Sequence, residues 1–204
     1  DIFDREAVFI ERTLIGLRSD FPELKIVFEH ATTKEAVAYV MSQDSFMACT
    51  VTAHHLVINR SDMFQGGIRP HLFCLPIAKR EEHRQALRAA VTSGDSRFFL
   101  GTDTAPHSTR FKESACGCAG IFSAPTALEV YAQVFEEEDA IDKLEAFASL
   151  NGPAFYGEAL NQEAVRLVRR PSEAPENVVT SEGEKIKVFW PSRGLNWCAD
   201  FSGC

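Results

Sequence analysis

Asp103 and His107 stand four residues apart, directly after the apolar run Phe98-Phe99-Leu100 and the break Gly101-Thr102. A carboxylate and an imidazole that close can bind a metal, move a proton or hold a polar substrate. A capping aspartate and a surface histidine are the bland alternative. His30 follows the apolar run Ile26-Val27-Phe28, and His54-His55 follow Phe46–Thr52. Three expected strands thus run out into metal-capable groups. Taken singly, each histidine is more often structural. Together they converge, because parallel strands deliver their C-terminal ends to one rim. Cys116-Gly117-Cys118 lacks a second cysteine pair, so a soft-metal site there is weakly supported. Its glycines suit a loop whose backbone amides approach a ligand. Arg69, beside Gly66-Gly67, is either an anion clamp or, more commonly, a solvated surface residue. Met63 and Phe64 read as core or loop packing.

These residues need elements to position them. Ala7, Ile10, Leu14 and Leu17 share one helical face, with Asp4 as N-cap and Asp20-Phe21-Pro22 as the stop. Lys25–His30 reads as a strand, Thr32 or Thr33 caps a helix to about Ser42, and Phe46–Thr52 reads as a second buried strand. A long irregular stretch runs to about Pro76, and loops of that size usually carry function. A helix over 78–93 leads to Arg97–Asp103, read as the central strand. Pro125 opens a helix to about Glu138, Asp139 or Asp142 opens another to Leu150, and Asn151-Gly152-Pro153 breaks it. Ile186–Trp190 and Leu195–Phe201 read as a hairpin around Pro191–Gly194. The alternation of strand and helix predicts a parallel α/β fold with that hairpin as an appendage.

Composition narrows the class. The chain has 204 residues, 45% of them hydrophobic, enough for one sizeable core. Lys and Arg number 21 against 29 Asp and Glu, a formal net charge of −8, which argues against a nucleic-acid partner. No apolar run approaches the roughly 20 residues of a membrane span. The six cysteines include no C-x-x-C and read as reduced thiols, so a soluble cytoplasmic protein is expected. Asp1–Glu6 looks like the run into a helix already inside a domain.

Phe28-Glu-His30, Gly66-Gly-x-Arg-Pro-His-x-x-Cys-Leu-Pro76, Gly101-Thr-Asp-x-Ala-Pro-His107 and Lys112-Glu-Ser-x-Cys-Gly-Cys-Ala-Gly120 together resemble the bacterial-type dihydroorotases. Ala124-Pro-Thr-Ala-Leu128 and Asn151-Gly-Pro-x-Phe-Tyr-Gly157 extend the resemblance to about Asn161. It implies the C-terminal part, about three strands and their helices, of a (β/α)8 TIM barrel in the amidohydrolase superfamily. Residues 1–160 would belong to the barrel and 161–204 would be a variable tail with the closing hairpin.

The resemblance also implies an activity: zinc-dependent interconversion of N-carbamoyl-L-aspartate and L-dihydroorotate in pyrimidine synthesis, with two zinc ions per complete site. His30 would ligate one zinc. Asp103 would ligate the other and carry the proton to and from the ring nitrogen. His107 would hold the substrate carboxylate, and the backbone of Leu75 and Ala119 the pyrimidine ring. The partner is then a small molecule, with no nucleic acid or membrane, and the complete enzyme is expected to be a homodimer. The family's H-x-H pair, carboxylated lysine, another histidine ligand and the Arg and Asn for the substrate carboxylate have no counterpart here. This chain alone is therefore expected to be inactive, completed by a missing N-terminal half. A non-catalytic fragment or pseudoenzyme serving as an assembly module is one alternative reading, and another cyclic-amide amidohydrolase is the second. With three of the eight strands, the inner faces of Phe28, Met47, Val51 and Phe99 are expected to lack partners, leaving the isolated chain partly molten or self-associating.

Overall fold

The computed structural model describes residues 1–191 and 194–200. The chain opens on α1 (Arg5–Phe9), which passes through a π-helical turn at Ile10–Leu14 into α2 (Ile15–Asp20). Asp4 occupies the N-cap position but its side chain makes no capping bond. The π turn closes i→i+5 bonds and so inserts one extra residue into the helical register. That shift explains a departure from the expected apolar face. Ile10 and Leu14 are buried, yet Leu17 is 37% exposed and Arg18, one residue on, turns inward at 8%. The Arg18 guanidinium pairs with Asp44 at 2.5 Å and donates to the Phe21 carbonyl.

β1 (Ile26–Phe28) leads to α3 (Lys34–Met41), whose first turn is capped by Thr33, Oγ1 accepting from the Ala36 N–H at 3.1 Å. β2 (Met47–Val51) follows, buried along its whole length, and then α4 (Ala53–Val57). The strand stops before the two histidines because Thr52 Oγ1 caps α4, accepting from the His55 N–H at 3.1 Å. Two 3-10 turns, Arg60–Phe64 and Pro70–Leu72, punctuate the irregular stretch before α5 (Glu81–Val91). Met63 is buried there, whereas Phe64 is 62% exposed, against the packing role expected of it. β3 (Phe98–Leu100), α6 (Thr109–Lys112), α7 (Ala127–Glu137) and α8 (Asn151–Tyr156) complete this part.

The sheet is parallel in the order β1-β2-β3, with Phe28 opposite Cys49 and Cys49 opposite Phe98. β2 is therefore the central strand, and β3 is an edge. The edge is partly closed by the chain itself, because Asn151 Nδ2 donates to the Phe98 carbonyl at 3.0 Å. Asn151-Gly152-Pro153 does not break the helix ahead of it. A π turn at Ala146–Leu150 runs straight into α8, and Pro153 sits in the first turn of α8, where its missing N–H is tolerated. Phe155 and Tyr156 then place their rings 6.0 and 5.8 Å from Phe99. Phe99 is 4% exposed, and Met47 and Val51 are fully buried, contrary to the uncovered faces expected of them. Phe28 alone of the four is only half-buried.

The tail departs from the expected hairpin. β4 (Arg166–Arg169) pairs antiparallel with β7 (Trp197–Asp200), and β5 (Asn177–Val179) pairs antiparallel with β6 (Lys185–Lys187). A hairpin is present, but it joins β5 to β6, while the Leu195–Asp200 segment reaches back to β4. Ser192, Arg193 and Phe201 of the expected hairpin lie outside the described residues. α7 explains this pairing. Trp197 Nε1 donates to Glu136 and the Ala199 N–H to Glu129, both at 3.1 Å, so β7 is held against the helix. Among the described residues, no helix is long and apolar enough to cross a membrane.

Candidate active site

β1 and β3 flank β2 in the same direction, so both leave the sheet at one rim. His30 and Asp103 lie just past those strand ends, with φ of 56° and 42°. Non-glycine residues adopt this left-handed region at a cost, and such strain collects at functional sites. Thr50 on the central strand holds the first of them. Its Oγ1 accepts from the His30 N–H at 2.8 Å, and its carbonyl accepts from the Ala31 N–H at 3.1 Å. Thr50 also bears on the other strand end, because a Cβ on Gly101 would lie 2.5 Å from the Thr50 Cβ. Only glycine lets β3 lie this close to Thr50.

The outcome is an imidazole and a carboxylate at one opening. His30 Nδ1 is 3.8 Å from Asp103 Oδ2, and its Nε2 is 3.7 Å from Glu29 Oε2. At 3.8 Å the pair is not hydrogen-bonded, so both donor atoms remain available to a ligand. The two side chains are 25% and 30% exposed. An N/O donor pair of this kind suits zinc, which takes about four ligands, so these residues fit part of a zinc site.

His107 follows four residues after Asp103. Its Nε2 is 3.1 Å from the Ala119 carbonyl. Gly120 makes that approach possible, since a Cβ there would sit 2.9 Å from His107 Cδ2 and 2.6 Å from the Ala105 Cβ. The segment after Asp103 is laced to the next one. The Ala105 N–H donates to the Ile121 carbonyl, and Thr104 Oγ1 accepts from the Ser123 and Ala124 N–H groups at 3.1 and 3.0 Å. Gly120 N–H donates to the Phe73 carbonyl at 3.0 Å, which ties the Ala119 segment to the one bearing Leu75. The Leu75 side chain is 49% exposed. Arg69 is exposed, as a solvated arginine would be. Cys116 and Cys118 bring their sulfurs to 3.8 Å on the same loop.

His54 and His55 follow the end of β2, near His30, but are buried. They lie in α4 at 0% and 2% exposure, and with Cys74 they offer ligand atoms within 4.8 Å of one another. The chemistry of this trio suits neutral groups. His55 Nδ1 is 2.8 Å from Thr52 Oγ1 and its Nε2 is 2.9 Å from the Pro76 carbonyl, so neither nitrogen is free. Burial pushes His55 down to about 3 and the Cys74 thiol up to about 12. His55 is thus an anchor for the Leu75-Pro76 segment, a role that no spacing in the sequence signals. Thr50 carries a fainter signal, as a polar residue inside an otherwise apolar strand.

His54 gives a stability prediction. Among the described residues neither of its ring nitrogens has a hydrogen-bond partner, and its ring packs on His55 and Phe189. A buried polar group left unpaired costs about 1–3 kcal/mol, so His54→Leu is expected to leave Tm unchanged or raise it. Burial lowers both imidazoles from the ordinary 6.5, so both are neutral when folded and take up protons on unfolding. Stability therefore falls as pH drops from 6.5 towards about 3, where His55 titrates in the folded chain. His54→Leu should flatten that slope. Denaturation series at several pH values check it, and a clear loss of stability at neutral pH would contradict it.

No family model matches the chain. A dihydroorotase of Yersinia pestis (strain Pestoides F) is 58% identical over 197 residues, covering 97% of this chain and 56% of the relative. Solved dihydroorotases of Saccharomyces cerevisiae, in complex with 5-fluoroorotic acid, and of Campylobacter jejuni superpose with TM-scores of 0.89 and 0.87. They are 31% and 32% identical, and each match covers 98% of this chain and 57% of the other. The chain thus spans a little over half the length of the relatives it matches, and its three parallel strands are part of a TIM barrel. In sequence and in structure, it corresponds to the C-terminal portion of a dihydroorotase.

Proposed function

We propose that this chain supplies one part of a zinc-dependent hydrolase that interconverts L-dihydroorotate and N-carbamoyl-L-aspartate in pyrimidine synthesis. The observation that carries the reading is the meeting of His30 and Asp103, 3.8 Å apart at one rim. His30 and Asp103 would hold zinc there, two ions serving the complete site. When bound, such a pair polarises the amide carbonyl and provides a nucleophile at neutral pH. Hydrolysis breaks the ring amide between carbonyl carbon and nitrogen. Asp103 would take the proton of the attacking water and pass it to the departing nitrogen. His107 would face the substrate carboxylate, and the backbone of Leu75 and Ala119 the ring. The substrate is a small molecule, and a homodimer is the proposed assembly.

The test uses this chain joined to the segment that its relatives carry ahead of it. Purified wild type should open L-dihydroorotate. His107→Ala should raise KM about tenfold or more with a smaller change in kcat, because its proposed partner is a non-reacting carboxylate. An unchanged KM with kcat abolished would assign His107 to the chemistry instead.

A further inference from the structure

Lys112 ends α6 and is 2% exposed, an unusual place for an ammonium. Its Nζ donates to three backbone carbonyls: Phe73 at 2.8 Å, Cys118 at 2.7 Å and Gly120 at 2.8 Å. An ammonium has three N–H bonds, so each is matched by one acceptor. The Phe73 ring lies 5.8 Å from the same nitrogen and adds a cation–π contact. Burying a charge is costly unless it is paired and hydrogen-bonded; here the three hydrogen bonds offset part of that cost, and burial still lowers the ammonium from 10.5 to about 8.

The identity of the three carbonyls matters more than their number. Cys118 and Gly120 are the residues on either side of Ala119, and Phe73 is two residues before Leu75. The carbonyl between the two held ones, that of Ala119, turns instead to His107 Nε2 at 3.1 Å. One ammonium thereby fixes the peptide planes on both sides of Ala119 and ties that segment to the strand of chain leading into Leu75. Backbone groups that read a ligand lose affinity when their segment is free to move, because ordering it must then be done at binding.

We propose that Lys112 is the positioning residue for the two backbone segments, at Leu75 and Ala119, that read the substrate ring. This rests on the dihydroorotase reading of the same site. Lys112 touches no substrate; it acts through the carbonyls it holds. Lys112→Met keeps the length of the side chain and removes every donor.

In the joined protein, Lys112→Met is expected to raise KM for L-dihydroorotate about tenfold or more, with kcat within about threefold of wild type. Hydrogen exchange of the 113–120 segment should quicken, while exchange in β2 and α7 stays as in wild type. Lys112→Arg, which keeps the charge and some donors, should fall between the two in KM. An unchanged KM with quickened exchange would make Lys112 merely structural and overturn the proposal, as would a loss confined to kcat. If Lys112→Met does not fold, Lys112→Arg decides: a raised KM at unchanged kcat supports the proposal, and wild-type KM overturns it. A folded, zinc-loaded wild type that leaves L-dihydroorotate intact would instead sink the dihydroorotase reading. Exchange at 113–120 in Lys112→Met, read without substrate, would still decide whether Lys112 orders that segment.

Discussion

Asp103→Asn is expected to abolish turnover in the joined protein while leaving the fold intact. The fold should survive for a local reason. Asp103 sits at φ 42°, and asparagine tolerates that left-handed conformation at least as well as aspartate. The side chain is 30% exposed and His30 Nδ1 lies 3.8 Å from its Oδ2, so the amide needs no new space. The chemistry should not survive. An amide is neutral, ligates a zinc ion poorly and cannot carry a proton between water and the ring nitrogen. General acid–base catalysis alone contributes about 10²- to 10⁴-fold, and loss of a ligand adds to that. Steady-state kinetics with circular dichroism check both halves. Ring opening at near wild-type rate would remove Asp103 from the mechanism.

The second large effect lies in the core. Tyr131 on α7 is fully buried, its hydroxyl donates to the Val51 carbonyl at 2.7 Å, and its ring lies 5.3 Å from that of Phe147. One side chain therefore joins α7 to the end of the central strand and to the π turn that precedes α8. Tyr131→Phe keeps the ring and deprives the carbonyl of this donor, a cost of about 1–3 kcal/mol. Tyr131→Ala also removes the ring and leaves a cavity, a cost of about 3–5 kcal/mol against a typical total of about 5–15. Urea unfolding of this chain and its two variants should return that order. A Tyr131→Ala midpoint close to wild type would mean that α7 is not docked on β2 as described.

Local apolar runs made the sheet legible. Ile26–Phe28, Met47–Val51 and Phe98–Leu100 all lie within the stretches expected to be strands, and His30 and Asp103 follow two of their ends. Parallel pairing then brings together two residues far apart in the chain, which pattern alone foresees. Features that depend on tertiary contacts were not legible. Nothing local announces the π turn at Ile10–Leu14 that exchanges Leu17 for Arg18 on the inner face. His54 and His55 do follow the end of the second strand, but a threonine cap starts a helix there and buries both, which their position in the chain does not announce. The tail misled for the opposite reason. Its turn residues suggest a local hairpin, while Glu129 and Glu136 on α7 hold β7 where β4 can reach it. Nothing in the pattern around Lys112 announces that it is buried on three carbonyls.

The most direct test of the account is one assay on two proteins: hydrolysis of L-dihydroorotate by this chain alone and by the chain joined to the upstream segment of a relative. The proposed ligands His30 and Asp103 would supply two donors where zinc takes about four, so the chain alone should be inactive and the joined protein should turn over. Turnover by the chain alone at a comparable rate would show that the site needs nothing beyond these residues. A folded, zinc-loaded joined protein without activity would contradict the dihydroorotase assignment itself.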